Sequence, residues 1–139
     1  MRETILLTQH MRSNPEDSHL IDSYEKNNGY VTAKKTLLNS SPEKILEEIK
    51  SSNIRGRGGA GFPTGVKWGF LAEDEDRYLV INADESEPGT FKDRILLERD
   101  PHQLIEGIII TCFSVSGVFV LLQIKYILIL VLRFCVCTF

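Results

Sequence analysis

The chain has 139 residues, which is about the length of one domain. Hydrophobic residues make up 42% of it and charged residues 25%, a balance typical of a globular protein. Its net charge of −3 and its lack of a basic tract exclude nucleic acid as an expected partner, because binding to phosphates needs clustered positive charge.

Helices are predicted after a polar N-terminal segment, residues 1–28, in which "RSNPEDS" and "KNNG" are loop signals. Gly29 precedes "YVTAKKTLL", which favours a helix. The stretch "SSPEKILEEIKSSN" predicts a helix more strongly, because Ser41 can cap its N-terminus and Pro42 suits the first helical position. The apolar stripe of this helix has helical spacing and consists of Ile45, Leu46 and Ile49.

A strand and three further helices are predicted in the second half of the chain. "TGVKWGFLAED" favours a helix, and "RYLVIN" (77–82), which is rich in β-formers, favours a buried strand. Thr90 and Asp93 have capping-box spacing for a helix in "FKDRILLER". Asp100, followed by Pro101, begins another helix, "PHQLIEGIII".

The C-terminal part of the chain leaves two structures open. From Gly107 to Ile124 there are eighteen residues without a charge, and "YILILVL" follows Lys125. That length would just allow a membrane span. However, Ser, Thr and Gln residues dilute the run, and its density of Ile, Val and Phe also suits buried strands.

The three cysteines predict neither a disulfide framework nor a metal site. Cys112, Cys135 and Cys137 all lie late in the chain. An odd, clustered set is a poor basis for disulfide pairing, and a metal site would need about four ligands at compatible spacing. We therefore expect the cysteines to be buried as small apolar side chains.

Positive charge surrounds a glycine-rich loop, "RGRGGAGFPTGVKW", at residues 55–68. Gly56, Gly58 and Gly61 fit G-x-G-x-x-G, but a dinucleotide fingerprint must follow a strand, and here a predicted helix precedes the loop. Bare amides on such a loop can approach an anion closely, and two arginines and Lys67 add charge. A phosphate-bearing ligand is favoured over the alternative, a tight loop packed on its own helix.

Carboxylates crowd the loop that follows the predicted strand, "NADESEPGTFKD". Asp84, Glu85 and Glu87 lie within four residues, at the strand end where ligands bind in open α/β sheets. These like charges repel one another unless something uses them. Hydrogen bonds to ribityl or ribose hydroxyls are one use, which Asn82 and Ser86 could share. A solvated acidic turn and a divalent metal site stay open as alternatives.

Two long motifs, "IRGRGGAGFPTGVKW" and "YLVINADESEPGTFKDR", together with "DPHQLIEG", closely resemble the NADH-binding flavoprotein subunit of respiratory complex I. They also resemble the diaphorase subunits of NAD-linked hydrogenases and formate dehydrogenases. The resemblance covers about residues 20–110. It implies an α/β fold, namely a partial Rossmann-like FMN-binding domain with an apolar C-terminal tail. The implied domains are a polar segment at 1–28, the N-terminal part of the FMN/NADH-binding domain at 29–110, and a divergent hydrophobic tail at 111–139.

The resemblance implies an NADH dehydrogenase flavoprotein subunit. In that family NADH passes a hydride to FMN, and electrons then pass singly to iron–sulfur clusters, so the flavin carries the chemistry. No protein nucleophile or general base is needed, and no catalytic residue is therefore assigned. By motif, the positions that contact FMN are Gly56, Arg57, Gly58, Gly59, Lys67, Asn82, Asp84, Glu85 and Ser86. The positions near NADH are Phe62, Phe70 and Glu87.

The chain also departs from that family, whose members are much longer. Their second FMN- and NADH-contacting stretch, their ubiquitin-like domain and their helical bundle with a 4Fe–4S cluster have no counterpart in this sequence. Cys135-Val136-Cys137 does not match the C-x-x-C-x-x-C run that holds the cluster, so its ligands are absent. We interpret the chain as truncated, with a foreign hydrophobic end that begins just past Gly107. We expect little or no NADH dehydrogenase activity from it alone.

Partners and location also follow from the resemblance. The implied partners are other subunits of the complex I peripheral arm, especially the 2Fe–2S thioredoxin-like subunit. The implied location is the cytoplasmic side of a bacterial inner membrane or the matrix side of the mitochondrial inner membrane, reached through the complex. One competing hypothesis is a membrane-anchored, non-catalytic protein, in which the tail spans the bilayer and the glycine loop only packs or binds an anion. Another is a nucleotide-binding regulator without redox chemistry.

Overall fold

Residues 6–72, 77–116, 119–124 and 127–133 are described in the structure, which is a computed structural model of the chain. Seven helices and three strands lie within these residues. The helices are α1 (Gln9–Ser13), α2 (Ile21–Lys26), α3 (Val31–Asn39), α4 (Pro42–Ser51), α5 (Thr64–Trp68), α6 (Lys92–Arg99) and α7 (Pro101–Ser114). The strands are β1 (Tyr78–Asn82), β2 (Phe119–Ile124) and β3 (Ile127–Arg133).

Helix α4 begins where its sequence predicts. Pro42 occupies the first turn, and the Ser41 hydroxyl accepts a hydrogen bond from the Lys44 amide at 3.3 Å. This cap satisfies one of the amides that a helix N-terminus leaves without an intrahelical acceptor. Ile45 is buried and leads the predicted apolar stripe. The N-terminal signal of α4 is therefore confirmed.

Two other helices differ from their predictions at one end. Helix α5 ends at Trp68 instead of continuing through "GFLAED", because the Gly69 amide already bonds back to the Gly65 and Val66 carbonyls and closes the last turn. Helix α6 follows Thr90 as expected, but its N-cap residue is Phe91, which provides no side-chain cap. The capping box predicted from Thr90 and Asp93 is therefore wrong.

The three strands form one sheet in the order β1-β2-β3. Strand β1 pairs in parallel with β2, from Tyr78 opposite Phe119 to Asn82 opposite Gln123, and β2 pairs antiparallel with β3. Because the ends of two parallel neighbours lie far apart, a crossover must join them, and here it contains α6 and α7. The predicted mixture of helix and strand is confirmed, while its Rossmann-like detail stays a prediction.

Strand β1 is covered on one face only, and partly so, which corrects the prediction of a buried strand. Leu79 and Ile81 pack against Ile108 and Cys112 of α7 and form the core beneath the sheet. On the opposite face Val80 is 50% exposed, and Tyr78 is exposed as well. A continuous apolar run does not distinguish a strand covered on both faces from one covered on a single face.

The uncharged run after Gly107 is not one helix. Helix α7 ends at Ser114, Ser116 adopts a left-handed φ of 51°, and the chain then enters β2. No helix among the described residues combines the length and the apolar character that a bilayer crossing requires. Cys112 is buried, as predicted, whereas Cys135 and Cys137 lie outside the described residues.

Helices α1 to α3 are tied to α7 by two carboxylates. Glu106 accepts hydrogen bonds from the Tyr24 hydroxyl at 2.6 Å and from the Tyr30 amide at 3.0 Å. Burial, together with this bond to Glu106, raises the pKa of the Tyr24 phenol well above its usual range. Asp100 precedes α7 as predicted, but its carboxylate lies 3.1 Å from His10 Nδ1 and does not cap the helix.

Candidate functional site

The glycine-rich loop is closed at its base and open at its tip. The Gly56 amide donates to the Phe62 carbonyl, and the Thr64 amide donates to the Ile54 carbonyl, each at 2.9 Å. Between these bonds, within the part of the chain that the structure describes, no amide of residues 57–61 donates to a main-chain carbonyl. These amides are therefore available to a ligand, as the sequence predicts.

The glycines at the tip leave room that side chains would fill. Gly59 and Gly61 have φ of 123° and 62°, which other residues rarely adopt. A Cβ atom on Gly58, Gly59 or Gly61 would meet no atom within 4 Å. Gly65, which lies outside the G-x-G-x-x-G triplet, is the glycine that packs on helix α4. Gly58 and Gly61, the last two glycines of the triplet, are therefore not packed against a helix, as the alternative of a loop packed on its own helix would require.

The acidic loop, residues 83–91, begins at the carboxyl end of β1 and is partly held by its own side chains. The Asp84 amide donates to Asn82 Oδ1 at 2.9 Å. The Ser86 hydroxyl donates to Asp84 Oδ1, also at 2.9 Å. The Glu87 side chain is exposed and makes no hydrogen bond within the described residues. Asp84 and Glu87 therefore keep carboxylate oxygens that a ligand could use.

Glu85 is engaged differently from its neighbours. Its Oε1 accepts from the Asp93 amide at 2.8 Å, and its Oε2 accepts from the Arg94 amide at 3.0 Å. Burial of this carboxyl acts to raise its pKa, but the two amides and Lys92, whose Nζ lies 3.9 Å away, lower the pKa overall. Sequence reasoning missed this role, because it assigned the cap of this helix to Thr90 and Asp93 instead.

The two loops converge on a common cleft. Its volume is about 600 Å³, and Gly58 with Arg57 lies on one side. The acidic loop and the start of α6 provide the other lining residues, which are Asn82, Asp84, Glu85, Glu87, Thr90, Lys92 and Asp93. Six residues predicted from the sequence are therefore brought together, and Thr90, Lys92 and Asp93 join them without having been predicted.

A second cleft, of about 550 Å³, adjoins the first at Gly58, which lines both. Its lining includes Phe62 and Lys67 on one side and Tyr78 and Val80, from the exposed face of β1, on the other. The predicted residue Gly56 also lines it. The first cleft is polar and charged, whereas the second is bounded largely by aromatic and aliphatic side chains.

Three predicted residues line neither cleft: Gly59, Ser86 and Phe70. Phe70 is 72% exposed, and its ring centroid lies 6.2 Å from that of Phe62. Glu87 and Phe62, both expected near NADH, line different clefts. The described residues therefore do not bring the three NADH positions together. They also contain no group of three His, Cys, Asp or Glu side chains suited to a metal ion.

Acid is expected to weaken the contact between the acidic loop and α6. Because the folded-state pKa of Glu85 lies below its ordinary 4.5, the stabilisation is fully present above pH 4.5 and is lost as the pH falls through the folded value. We expect the Asp93 and Arg94 amide signals to shift with a midpoint below pH 4.5 in an NMR titration. A midpoint above 4.5 would contradict the depressed pKa, and the Thr64 amide, which bonds to the Ile54 carbonyl, serves as the control.

Comparison with known proteins identifies relatives over most of the chain. The chain is 53% identical over 103 residues to the NADH-quinone oxidoreductase subunit designated F 2 in Rhizobium meliloti, covering 73% of this chain and 24% of that protein. Identity is 54% over 116 residues with the corresponding subunit of Aquifex aeolicus, covering 83% and 27%, and 46% over 118 residues with that of Escherichia coli, covering 83% and 26%. The chain thus spans about a quarter of the length of these relatives.

Solved structures and a family model agree with these relatives. An NAD⁺-reducing [NiFe]-hydrogenase in its H2-reduced state superposes with a TM-score of 0.64 at 36% identity, covering 90% of this chain and 20% of the hydrogenase chain. The air-oxidized form gives a TM-score of 0.58 at 46% identity, covering 62% and 16%. Residues 49–127, more than half of the chain, match the model of the Nuo51 FMN-binding domain. The chain therefore belongs to the Nuo51 FMN-binding domain family.

Proposed function

We propose that this chain forms the N-terminal part of an FMN-binding pocket in an NADH-oxidising flavoprotein. The observation that carries the proposal is the common cleft in which Gly58 of the glycine loop faces Asp84 and Glu87 of the acidic loop. Ligand pockets commonly have volumes of about 300–1,000 Å³. Each of the two adjoining clefts lies within this range.

The residues present fit a flavin nucleotide. The open space at Gly58, which lines both clefts, lets the main chain approach a ligand, as a Cβ atom would fill that space. Arg57 and Lys67 are exposed cations suited to a phosphate or to negative charge on a ring. Asn82 and Asp84 offer the amide and carboxylate groups that hydrogen-bond to hydroxyls. The chain thus offers main-chain donors, positive charges and hydrogen-bond acceptors that complement the phosphate, the ring and the hydroxyls of FMN.

In this proposal the residues of the chain bind FMN and orient it. Gly56, Arg57, Gly58 and Lys67 would hold FMN from the glycine-loop side, and Asn82 and Asp84 from the acidic-loop side. Gly59 and Ser86 would shape the two loops, since neither lines a cleft. When bound, FMN supplies the ability to accept a hydride from NADH. Phe62 and Glu87, which line the two adjoining clefts, would contact different parts of the nicotinamide nucleotide, and Phe70 would have to move from its exposed position to reach it.

The wider activity is part of the same proposal. Relatives named as an NADH-quinone oxidoreductase subunit and as an NAD⁺-reducing hydrogenase support a place in a multisubunit NADH dehydrogenase of the complex I type. We propose association with its peripheral arm, including a 2Fe–2S subunit, and with the membrane through that complex. Because Phe70, one of the positions expected near NADH, lines neither cleft, we expect little NADH oxidation by the isolated chain.

FMN binding by the full 139-residue chain tests the proposal. A Gly58→Ala change places a Cβ atom in the space that both clefts share, without contacting another atom of the chain. We expect the dissociation constant for FMN to rise at least about tenfold, which corresponds to about 1.4 kcal/mol of lost binding. Titration followed by quenching of FMN fluorescence measures this change, and chemical denaturation should show an unchanged unfolding midpoint.

Gly107→Ala provides the matched control. Its Cβ atom would also meet nothing within 4 Å, but Gly107 lies on α7 and lines neither proposed binding cleft. We expect this variant to bind FMN as tightly as the wild type. If the wild-type chain does not bind FMN, or if both alanine variants bind it equally well, the common cleft is not a flavin site.

A further inference from the structure

We propose that Glu85 is a positioning residue, which fixes the acidic loop to the N-terminus of α6 and does not contact the ligand itself. This inference rests on the proposed flavin site and assigns one of its lining residues a different task. The family resemblance implies that Glu85 holds FMN, together with Asp84. The hydrogen bonds of this carboxylate point instead to a role within the chain.

Both oxygens of Glu85 are already used by the main chain. They accept from the Asp93 and Arg94 amides at 2.8 and 3.0 Å, so each oxygen has a short and separate donor. The side chain is 9% exposed, and the Lys92 ammonium lies 3.9 Å from Oε1. A carboxylate that receives two amide hydrogen bonds in a nearly buried position gains little from turning towards a ligand, because it would leave those donors unsatisfied.

Helix α6 needs this carboxylate because it has no cap of its own. Its N-cap residue, Phe91, has φ of −148° and offers no side-chain acceptor. The first amides of a helix have no intrahelical partner, and an anion near them is also favoured by the helix dipole. Glu85 supplies both an acceptor and a negative charge from eight and nine residues away. The depressed pKa of its carboxyl agrees with a cap that is ionised at neutral pH.

The acidic loop needs the same contact. Pro88 removes one amide donor from the loop, and Gly89 has φ of 79°. Among the described residues, the main-chain hydrogen bond recorded within the loop is that from the Thr90 amide to the Glu87 carbonyl, at 3.2 Å. The bonds from Glu85 to α6 therefore hold the middle of the loop in place. Asp84 and Glu87, its neighbours in sequence, are thereby held facing Arg57 and Gly58 across the cleft.

The test compares Glu85→Gln and Glu85→Asp with Asp84→Asn in the full chain. The glutamine keeps the size of the side chain but offers one acceptor oxygen, and the aspartate keeps the charge but withdraws it by one methylene. In both we expect the Asp93 and Arg94 amides to exchange with solvent about tenfold faster, and FMN to bind about tenfold more weakly. Asp84→Asn should weaken FMN binding while leaving the exchange of those two amides unchanged.

The visible circular dichroism of FMN at saturation separates positioning from mere stabilisation. If Glu85 positions the loop, the spectrum of bound FMN should change in Glu85→Gln, because the ligand is then held differently. An unchanged spectrum at saturation would overturn the positioning role, as would normal FMN affinity in Glu85→Asp. Weaker FMN binding by Glu85→Gln with unchanged amide exchange would show direct contact with the ligand and would also overturn it.

Glu98→Gln is the matched control. Glu98 lies on the same helix and pairs with the Arg94 side chain at 2.8 Å, but both side chains are more than half exposed. The change removes the same charge without touching the amides, so neither exchange nor FMN binding should respond. If no variant and not even the wild type binds FMN, the proposed function fails. The exchange rates, measured without FMN, still decide whether Glu85 holds the loop to α6.

Discussion

Gly65→Ala is expected to lower the free energy of unfolding by about 2 kcal/mol or more. A Cβ atom at this position would lie 2.6 Å from the Lys50 amide nitrogen and 2.7 Å from its Cα. These atoms belong to the backbone of α4, so the overlap is relieved only by moving α5 away from α4. The usual helical advantage of alanine over glycine, about 1 kcal/mol, is too small to offset this displacement. Urea denaturation followed by far-UV circular dichroism measures the change.

The same change should also weaken FMN binding, because α5 carries Lys67 and begins directly after the glycine loop. Gly107→Ala is the control for stability, since it adds a methyl group within α7 where nothing lies within 4 Å. We expect this variant to be about 1 kcal/mol more stable than the wild type. If both alanine variants shift stability in the same direction, the close approach of α4 and α5 is wrong.

Local signals predicted the helices better than they predicted what the helices pack against. Ser41 and Pro42 determine the start of α4 through atoms that lie within a few residues of each other, so the sequence alone suffices there. The half-exposed β1 could not be predicted in the same way. Its apolar run is equally compatible with one covered face or two, and the residues that cover it, Ile108 and Cys112 of α7, lie far along the chain beyond helix α6.

The sequence predicted those features of the candidate site that depend on position along the chain. It did not predict which of two possible hydrogen-bond partners a side chain uses. The acidic loop follows the carboxyl end of a strand, which is a common ligand position, and it does face the glycine loop. The use of Glu85 by α6 could not be read from motif spacing, because a carboxylate next to bound hydroxyls and one next to helix amides look alike in a sequence. The placement of Phe70 outside both clefts depends on where α5 ends.

Glu106→Ala is expected to destabilise the chain by about 3 kcal/mol. Glu106 accepts three hydrogen bonds, from the Tyr24 hydroxyl at 2.6 Å and from the Tyr30 and Ala33 amides at 3.0 Å each. The two amides lie at the beginning of α3, whose N-cap residue Tyr30 provides no side-chain cap and has a left-handed φ of 61°. Truncation would leave these donors and the buried phenol without their acceptor, which costs more than the net value of each bond.

Glu98→Ala is the control for this prediction, because it removes a carboxylate from a helix without removing the hydrogen bonds that Glu106 accepts. The partner of Glu98 is the exposed Arg94 side chain, and such surface pairs contribute about 0.5 kcal/mol or less. We expect urea denaturation to show a large decrease in stability for Glu106→Ala and almost none for Glu98→Ala. Equal effects would mean that Glu106 acts as a surface charge. Because Glu106 bonds α2 and α3 to α7, the helix that packs beneath β1, its loss should also loosen the support of the sheet from which the acidic loop emerges.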